Sequence, residues 1–191
     1  MINDKRIIRS RQLLRDSFLG LLSERRYEDI SVQDIIERAG VARSTFYAHY
    51  IDKEDLLVGP RGVFAREVKS PTEPGKKGGK WNRPIPSICF WNNILSHRET
   101  FQLIAKDSAM EVTMRDLYKK LCAIMNANIE WDPSAPGAIP SSLVVDHLAG
   151  SIITLVKWWV RQGMTCPPEQ MDEMFQRMSL PVIPSNRLQH S

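Results

Sequence analysis

A tight turn, Ala39-Gly40-Val41-Ala42, joins two short amphipathic segments and constrains this chain more than any other feature. Before it, Val32, Ile35 and Ile36 recur at helical spacing. Ser31 is placed to cap the free amides, and Asp34 adds negative charge where the helix dipole favours it. Gly40 can turn left-handed without a side-chain clash, which stops a helix abruptly. The second segment, residues 42–50, is small and polar at its start and aromatic at its end. The turn is too short to be a linker, so the first helix must brace the second. That is a helix-turn-helix, whose second helix offers its N-terminal side chains to a DNA major groove.

The remaining pattern is helical throughout. Ile7, Leu14, Phe18, Leu21 and Leu22 form one apolar stripe over residues 4–25, and Tyr27 and Ile30 are placed to plug the core beneath the next two helices. Asp52 caps a further helix that Gly59-Pro60 should end. Residues 70–86 are rich in Pro, Gly and Lys without periodicity and read as a flexible loop. Stripes at Ile88, Trp91 or Asn92, and Leu95 and at Phe101, Leu103 and Ile104 precede a longer helix over residues 112–129. A Pro- and Gly-rich loop follows at 131–137. Residues 141–161 form the most hydrophobic helix, apolar around nearly its whole circumference and therefore buried on several sides. Gly163 ends it, and Pro167-Pro168-Glu169-Gln170-Met171 opens a last helix through Met174, Phe175 and Met178. The fold class expected is all-α: a three-helix head over residues 1–57, then a helical body over 58–191.

The net charge is +4, but up to Val58 the basic and acidic residues match one for one, so nucleic-acid binding there rests on arrangement. Lys5, Arg6, Arg9, Arg11 and Arg15 nevertheless cluster at the start, and between Arg61 and Arg83 seven basic residues face two acidic ones. Cys89, Cys122 and Cys166 are far apart and in no C-x-x-C pair, so neither a disulfide framework nor a metal site is expected. No apolar run approaches the roughly 20 residues of a membrane span. The N-terminal stretch has no apolar signal core, and the reading is a cytoplasmic protein without membrane contact.

Residues 41–50, followed by Asp52-Lys53-Glu54-Asp55-Leu56-Leu57, resemble the tetracycline-repressor (TetR) family of bacterial transcriptional regulators. Phe46, Tyr47, His49, Lys53 and Leu56 all fall in register with that family's pattern. Residues 157–164, with Pro168-Glu169-Gln170-Met171 after them, are similar to the end of one of its C-terminal domain types. The resemblance implies an all-helical homodimer with a DNA-binding head and a regulatory body.

Within the head, Phe46 should pack inward against Phe18 and Ile35. Arg43, Ser44 and Thr45 are the expected base readers, because they occupy the first exposed turn of the second helix and a guanidinium can donate two bonds to guanine. Ser31, Tyr47, His49 and Lys53 are the expected phosphate contacts: Ser31 through the helix-start amides, Tyr47 by the family pattern, His49 one turn beyond Thr45, and Lys53 through its ammonium. A two-fold dimer would present two such heads to a near-palindromic operator in double-stranded DNA. Leu148, Ile152, Leu155, Trp159, Met171 and Phe175 are the interface candidates. Phe90, Trp91, Met110, Met114, Met125 and Trp131 could line a pocket for a small hydrophobic effector.

Catalysis is not expected. The four histidines form no metal-binding pair, and no nucleophile, phosphate-loop or dinucleotide motif is present, so neither catalytic residues nor a cofactor are assigned. Asp146-His147 are adjacent on a helix and point about 100° apart, which is poor geometry for a dyad. The chain reads as a sequence-specific transcriptional regulator, a repressor released by an effector; the other reading is an adaptor acting through a protein partner.

Overall fold

The computed structural model describes residues 2–64, 87–105, 107–128 and 139–179. Among these residues there are nine α-helices, one 3-10 turn and no strand, so the fold is all-α as expected. The expected loops at 70–86 and 131–137, and with them Trp131, lie outside the described residues. By packing the chain forms two units, residues 1–66 with 99–114, and residues 67–98 with 115–191.

The first unit is built on α1 (Ile2–Glu24), which lies against α2 (Val32–Ala39). Leu14, Phe18, Leu21 and Leu22 are buried on its inner face, while Ile7 is only partly covered. A 3-10 turn (Tyr27–Asp29) then places Tyr27 and Ile30 in the core, with the Tyr27 ring edge-on to Phe18 at 6.3 Å. After α3 (Arg43–Tyr47), α4 (Lys53–Val58) stops at Gly59 as the Gly-Pro pair predicts. The chain folds back along α4, with the amides of Val63 and Phe64 donating to the carbonyls of Leu56 and Leu57 at 2.8 and 3.1 Å. This return requires Gly62, since a Cβ there would sit 2.4 Å from the Leu56 oxygen.

The sequence places a boundary after Leu57. Packing instead groups residues 58–66 and 99–114 with the N-terminal segment, because Phe64 meets Phe101 of α6 (Arg98–Ile104) at 5.0 Å. The next helix, α7 (Ser108–Asn128), begins four residues earlier than its apolar pattern indicates. The Met110 amide donates to the Asp107 carbonyl at 3.0 Å, and Ala109 and Met110 are buried, so polar Ser108 still opens a helix held by the core.

In the second unit, α5 (Ile88–Ser96) and α8 (Ser141–Arg161) each pack on α9 (Pro168–Ser179). Trp91 is at the centre, fully buried, with Trp159 at 6.1 Å and Phe175 at 6.4 Å, both edge-on. The bounds of α8 are those expected. Contrary to the expectation of no such segment, it is the one helix among the described residues that is long and apolar enough to cross a membrane, with a window of mean hydropathy 1.4. Half of that window is buried against the rest of the chain, as in a core helix.

The six residues expected at a dimer interface are placed differently. Leu148, Ile152, Leu155, Trp159, Met171 and Phe175 are each at most 6 % exposed within the single chain. They form the core of the protomer itself, because α9 covers the richest side of α8. The large apolar side chains left exposed on these helices are Leu143 and Met178.

Candidate nucleic-acid interface

The head aims its second helix by local chemistry at both ends of α2. Ser31 accepts from the Asp34 amide at 3.2 Å, and the Asp34 carboxylate accepts from the Ser31 amide at 2.8 Å, a reciprocal capping box. The Ser31 hydroxyl and backbone hold the Asp34 carboxyl below its usual range, and Arg25 at 3.2 Å adds to the effect. At the other end Gly40 takes φ 62°, and the Val41 amide returns to the Ile36 carbonyl at 3.3 Å. Arg38 pairs with Glu24 at 2.6 Å, fastening α2 to the end of α1.

The turn delivers α3 as five residues, shorter than the segment 42–50 suggests. The His49 amide bonds three residues back, to Phe46 at 2.9 Å, so the last turn tightens and His49 and Tyr50 lie beyond the helix. Phe46 is fully buried in the same core as Phe18 and Ile35, as expected, and tilts against Tyr50 at 5.9 Å. Arg43 and Ser44 are exposed, and Thr45 is partly so. Tyr47 is 48 % exposed. Arg43 and Tyr47 are four residues apart and share a face: the guanidinium carbon is 5.5 Å from the ring centroid, and Nη2 is 3.5 Å from the hydroxyl. A base-reading candidate and a phosphate-contact candidate are thus held together before any ligand arrives.

Two expected phosphate contacts have partners inside the protein. Lys53 donates to the carbonyls of Tyr27 and Ile30 at 2.7 and 2.8 Å, with its ammonium 4.3 Å from the Tyr27 ring. Those carbonyls flank the turn that leads into Ser31, so Lys53 helps set where α2 begins. His49 Nε2 lies 2.8 Å from Ser10 Oγ of α1. The Ser10 hydroxyl also reaches the carbonyls of Arg6 and Ile7, at 3.0 and 3.1 Å, so the pair ties His49 to the backbone of α1. Burial, with Arg11 and Arg61 nearby, lowers the pKa of His49. Local periodicity gives no sign of these two bonds, since Ser10 and His49 are 39 residues apart.

Elsewhere the residues brought together are not those expected. Asp146 accepts from the Tyr118 hydroxyl at 2.8 Å, and both Asp146 and His147 are exposed. That bond, with burial and Cys122 beside it, raises the Tyr118 pKa to about 12. The three cysteines are free, with Cys89 exposed and the other two partly so. Of the effector-pocket candidates, Met110 and Met114 are buried in the first unit; Trp91 and Met125 are buried and Phe90 partly covered in the second.

This helical head followed by a helical body is a helix-turn-helix architecture. Residues 19–58 match the model of bacterial regulatory proteins of the tetR family, and residues 90–180 match a transcriptional regulator C-terminal region. The chain belongs to the TetR family. It is 42% identical over 180 residues to the uncharacterized HTH-type transcriptional regulator YxbF of Bacillus subtilis (strain 168), an alignment spanning 90% of this chain and 45% of that protein. It is 34% identical over 56 residues to DhaS, the HTH-type dhaKLM operon transcriptional activator of Lactococcus lactis subsp. lactis (strain IL1403), over 29% of this chain and 30% of that one. The chain therefore spans less than half the length of these curated relatives. The crystal structure of a TetR transcriptional regulator from Streptococcus agalactiae 2603V shares the fold, with a TM-score of 0.53 and 21% identity over 94% of this chain and 98% of that chain.

Proposed function

We propose that this chain is a DNA-binding transcriptional regulator that works as a homodimer on a near-palindromic operator. The observation that carries the reading is the short α3, exposed at Arg43, Ser44 and Tyr47, anchored by buried Phe46 and fixed by a capping box and a left-handed glycine. Arg43, Ser44 and Thr45 read base edges, with Arg43 bidentate to a guanine. Ser31, Tyr47, His49 and Lys53 take phosphates; Lys53 does so with the third donor its ammonium keeps after serving two carbonyls. The dimer forms through the outer faces of α8 and α9, where Leu143 and Met178 are each 58 % exposed.

The body binds a small hydrophobic effector whose preferred dimer no longer matches the groove spacing, so DNA is released. The support for an effector is Trp91, fully buried with no acceptor for its indole N–H. An unsatisfied buried donor costs about 1–3 kcal/mol, which an acceptor on an apolar ligand would offset. Electrophoretic mobility shift against the promoters of its own and neighbouring genes tests the reading. Retarded DNA that is released by an apolar extract supports it, whereas no shift at any promoter favours an adaptor acting through a protein. Regulatory sign is read from a reporter behind the bound promoter. Expression rises on deletion for a repressor and falls for an activator, the role in the name of the Lactococcus relative.

A further inference from the structure

Three hydrogen bonds gather α1, the end of α3 and the turn after α4 along one edge of the head. Ser10 holds His49 at 2.8 Å, the Tyr50 hydroxyl donates to the Arg61 carbonyl at 2.9 Å, and Arg15 donates to the Gly62 carbonyl at 3.4 Å. The chain thereby brings Arg11 and Arg61 close to His49, and Arg11, Arg15 and Arg61 close to Tyr50, although Arg15 and Gly62 are 47 residues apart in sequence. None of the three guanidinium groups has a carboxylate partner among the described residues. Arg11 Nε is buried with no acceptor.

Three acids of α1 and of the start of α4 make local bonds, and the charge of one of them, Asp55, reaches Tyr50. Asp16 accepts from Gln12 at 2.7 Å, Asp52 caps α4 by accepting from the Asp55 amide at 2.7 Å, and Asp55 accepts from the Ile51 amide at 3.0 Å. Unpaired like charges held close repel one another, and the depressed proton affinity of His49 reflects burial first and then Arg11 and Arg61. With no carboxylate paired to Arg11, Arg15 or Arg61 among the described residues, the edge leaves a place for an anion. Guanidinium groups suit phosphate oxygens, which they can engage in pairs.

The geometry points to a phosphodiester clamp: Arg11 and Arg61, together with His49, bind the DNA strand flanking the bases that α3 reads. The assignment rests on the DNA-binding reading, because the edge begins where α3 ends. It adds contacts from α1 and from the turn after α4 to those of the helix-turn-helix. The contacts are electrostatic and blind to base identity.

The test is fluorescence anisotropy of the full chain with a random-sequence duplex, over roughly 50–200 mM KCl, where each phosphate contact adds about 0.9 to the slope of log K against log salt. Arg61→Gln and Arg11→Gln should each reduce that slope by about one contact, and Arg61→Lys should restore it. If the wild-type chain binds and both Gln variants keep its slope, the clamp is overturned while the DNA-binding reading stands. If the wild-type chain binds no duplex, both fall. Arg61 is exposed, so Arg61→Gln decides the matter even if Arg11→Gln loses helical circular dichroism.

Discussion

The backbone amide of Tyr27 donates to the carboxylate of Asp107 at 2.5 Å, so the turn that leads into the helix-turn-helix is held by the start of α7. Ser108 strengthens this hold by donating to Glu28 at 2.7 Å. Asp107→Ala should leave the Tyr27 amide without its acceptor and cost about 1–3 kcal/mol. At about 2–4 °C per kcal/mol for a chain of this size, the fall in Tm is measurable by calorimetry. Asp107→Asn keeps an acceptor oxygen and should recover most of it. A wild-type Tm for Asp107→Ala would contradict the role.

Lys53 serves the same turn from its carbonyl side. Lys53→Ala should therefore lower Tm as well as DNA affinity, equally for all sequences, and should flatten the salt dependence by about one phosphate contact. Loss of affinity at unchanged Tm would mean that the two carbonyl bonds contribute nothing to the fold.

Much of this arrangement is legible in the sequence because it is local. The Ser31 cap, the Gly40 turn, the stop at Gly59 and the bounds of α8 all follow from residues within a turn or two of the feature they create. What is not legible depends on distant partners. The bonds from His49 to Ser10 and from Lys53 to the Tyr27 carbonyl join positions that no periodicity links. Residues 148–175 illustrate the other limit. An apolar perimeter states that a helix is covered, but not whether its own chain or a second copy covers it.

Arg43 is held over Tyr47 and exposed to solvent. Arg43→Ala should relax preference at one base position per half-site by about 1–3 kcal/mol, leaving non-specific binding nearly unchanged. Competition between duplexes differing at single positions measures this. An unchanged preference profile would remove Arg43 from the base readers.

His49 gives the head a pH dependence of known sign. Its folded pKa is lowered, by burial first and then by Arg11 and Arg61. The unfolded chain therefore binds the proton more readily, and the stability His49 contributes is present above its ordinary pKa of about 6.5 and lost as pH falls below it. His49→Gln should flatten the fall in Tm between about pH 7.5 and 5.5. The same fall in wild type and variant would contradict the assignment.

Leu143 and Met178 are exposed on helices whose other apolar faces are buried. Sedimentation at micromolar concentration should show a dimer, shifted toward monomer by Leu143→Glu with Met178→Glu. A dimer unaffected by the pair would place the interface elsewhere, and a wild-type monomer would remove the second head from the proposal.

In the proposed dimer two copies of α3 read DNA in register. Selection of bound sequences from a random duplex library with the wild-type chain tests it directly. The expected result is enrichment of a near-palindrome whose half-sites are about one helical turn apart, about 10–10.5 base pairs centre to centre, or a multiple of that spacing. Enrichment of no sequence, or of a single unrepeated half-site, would contradict it.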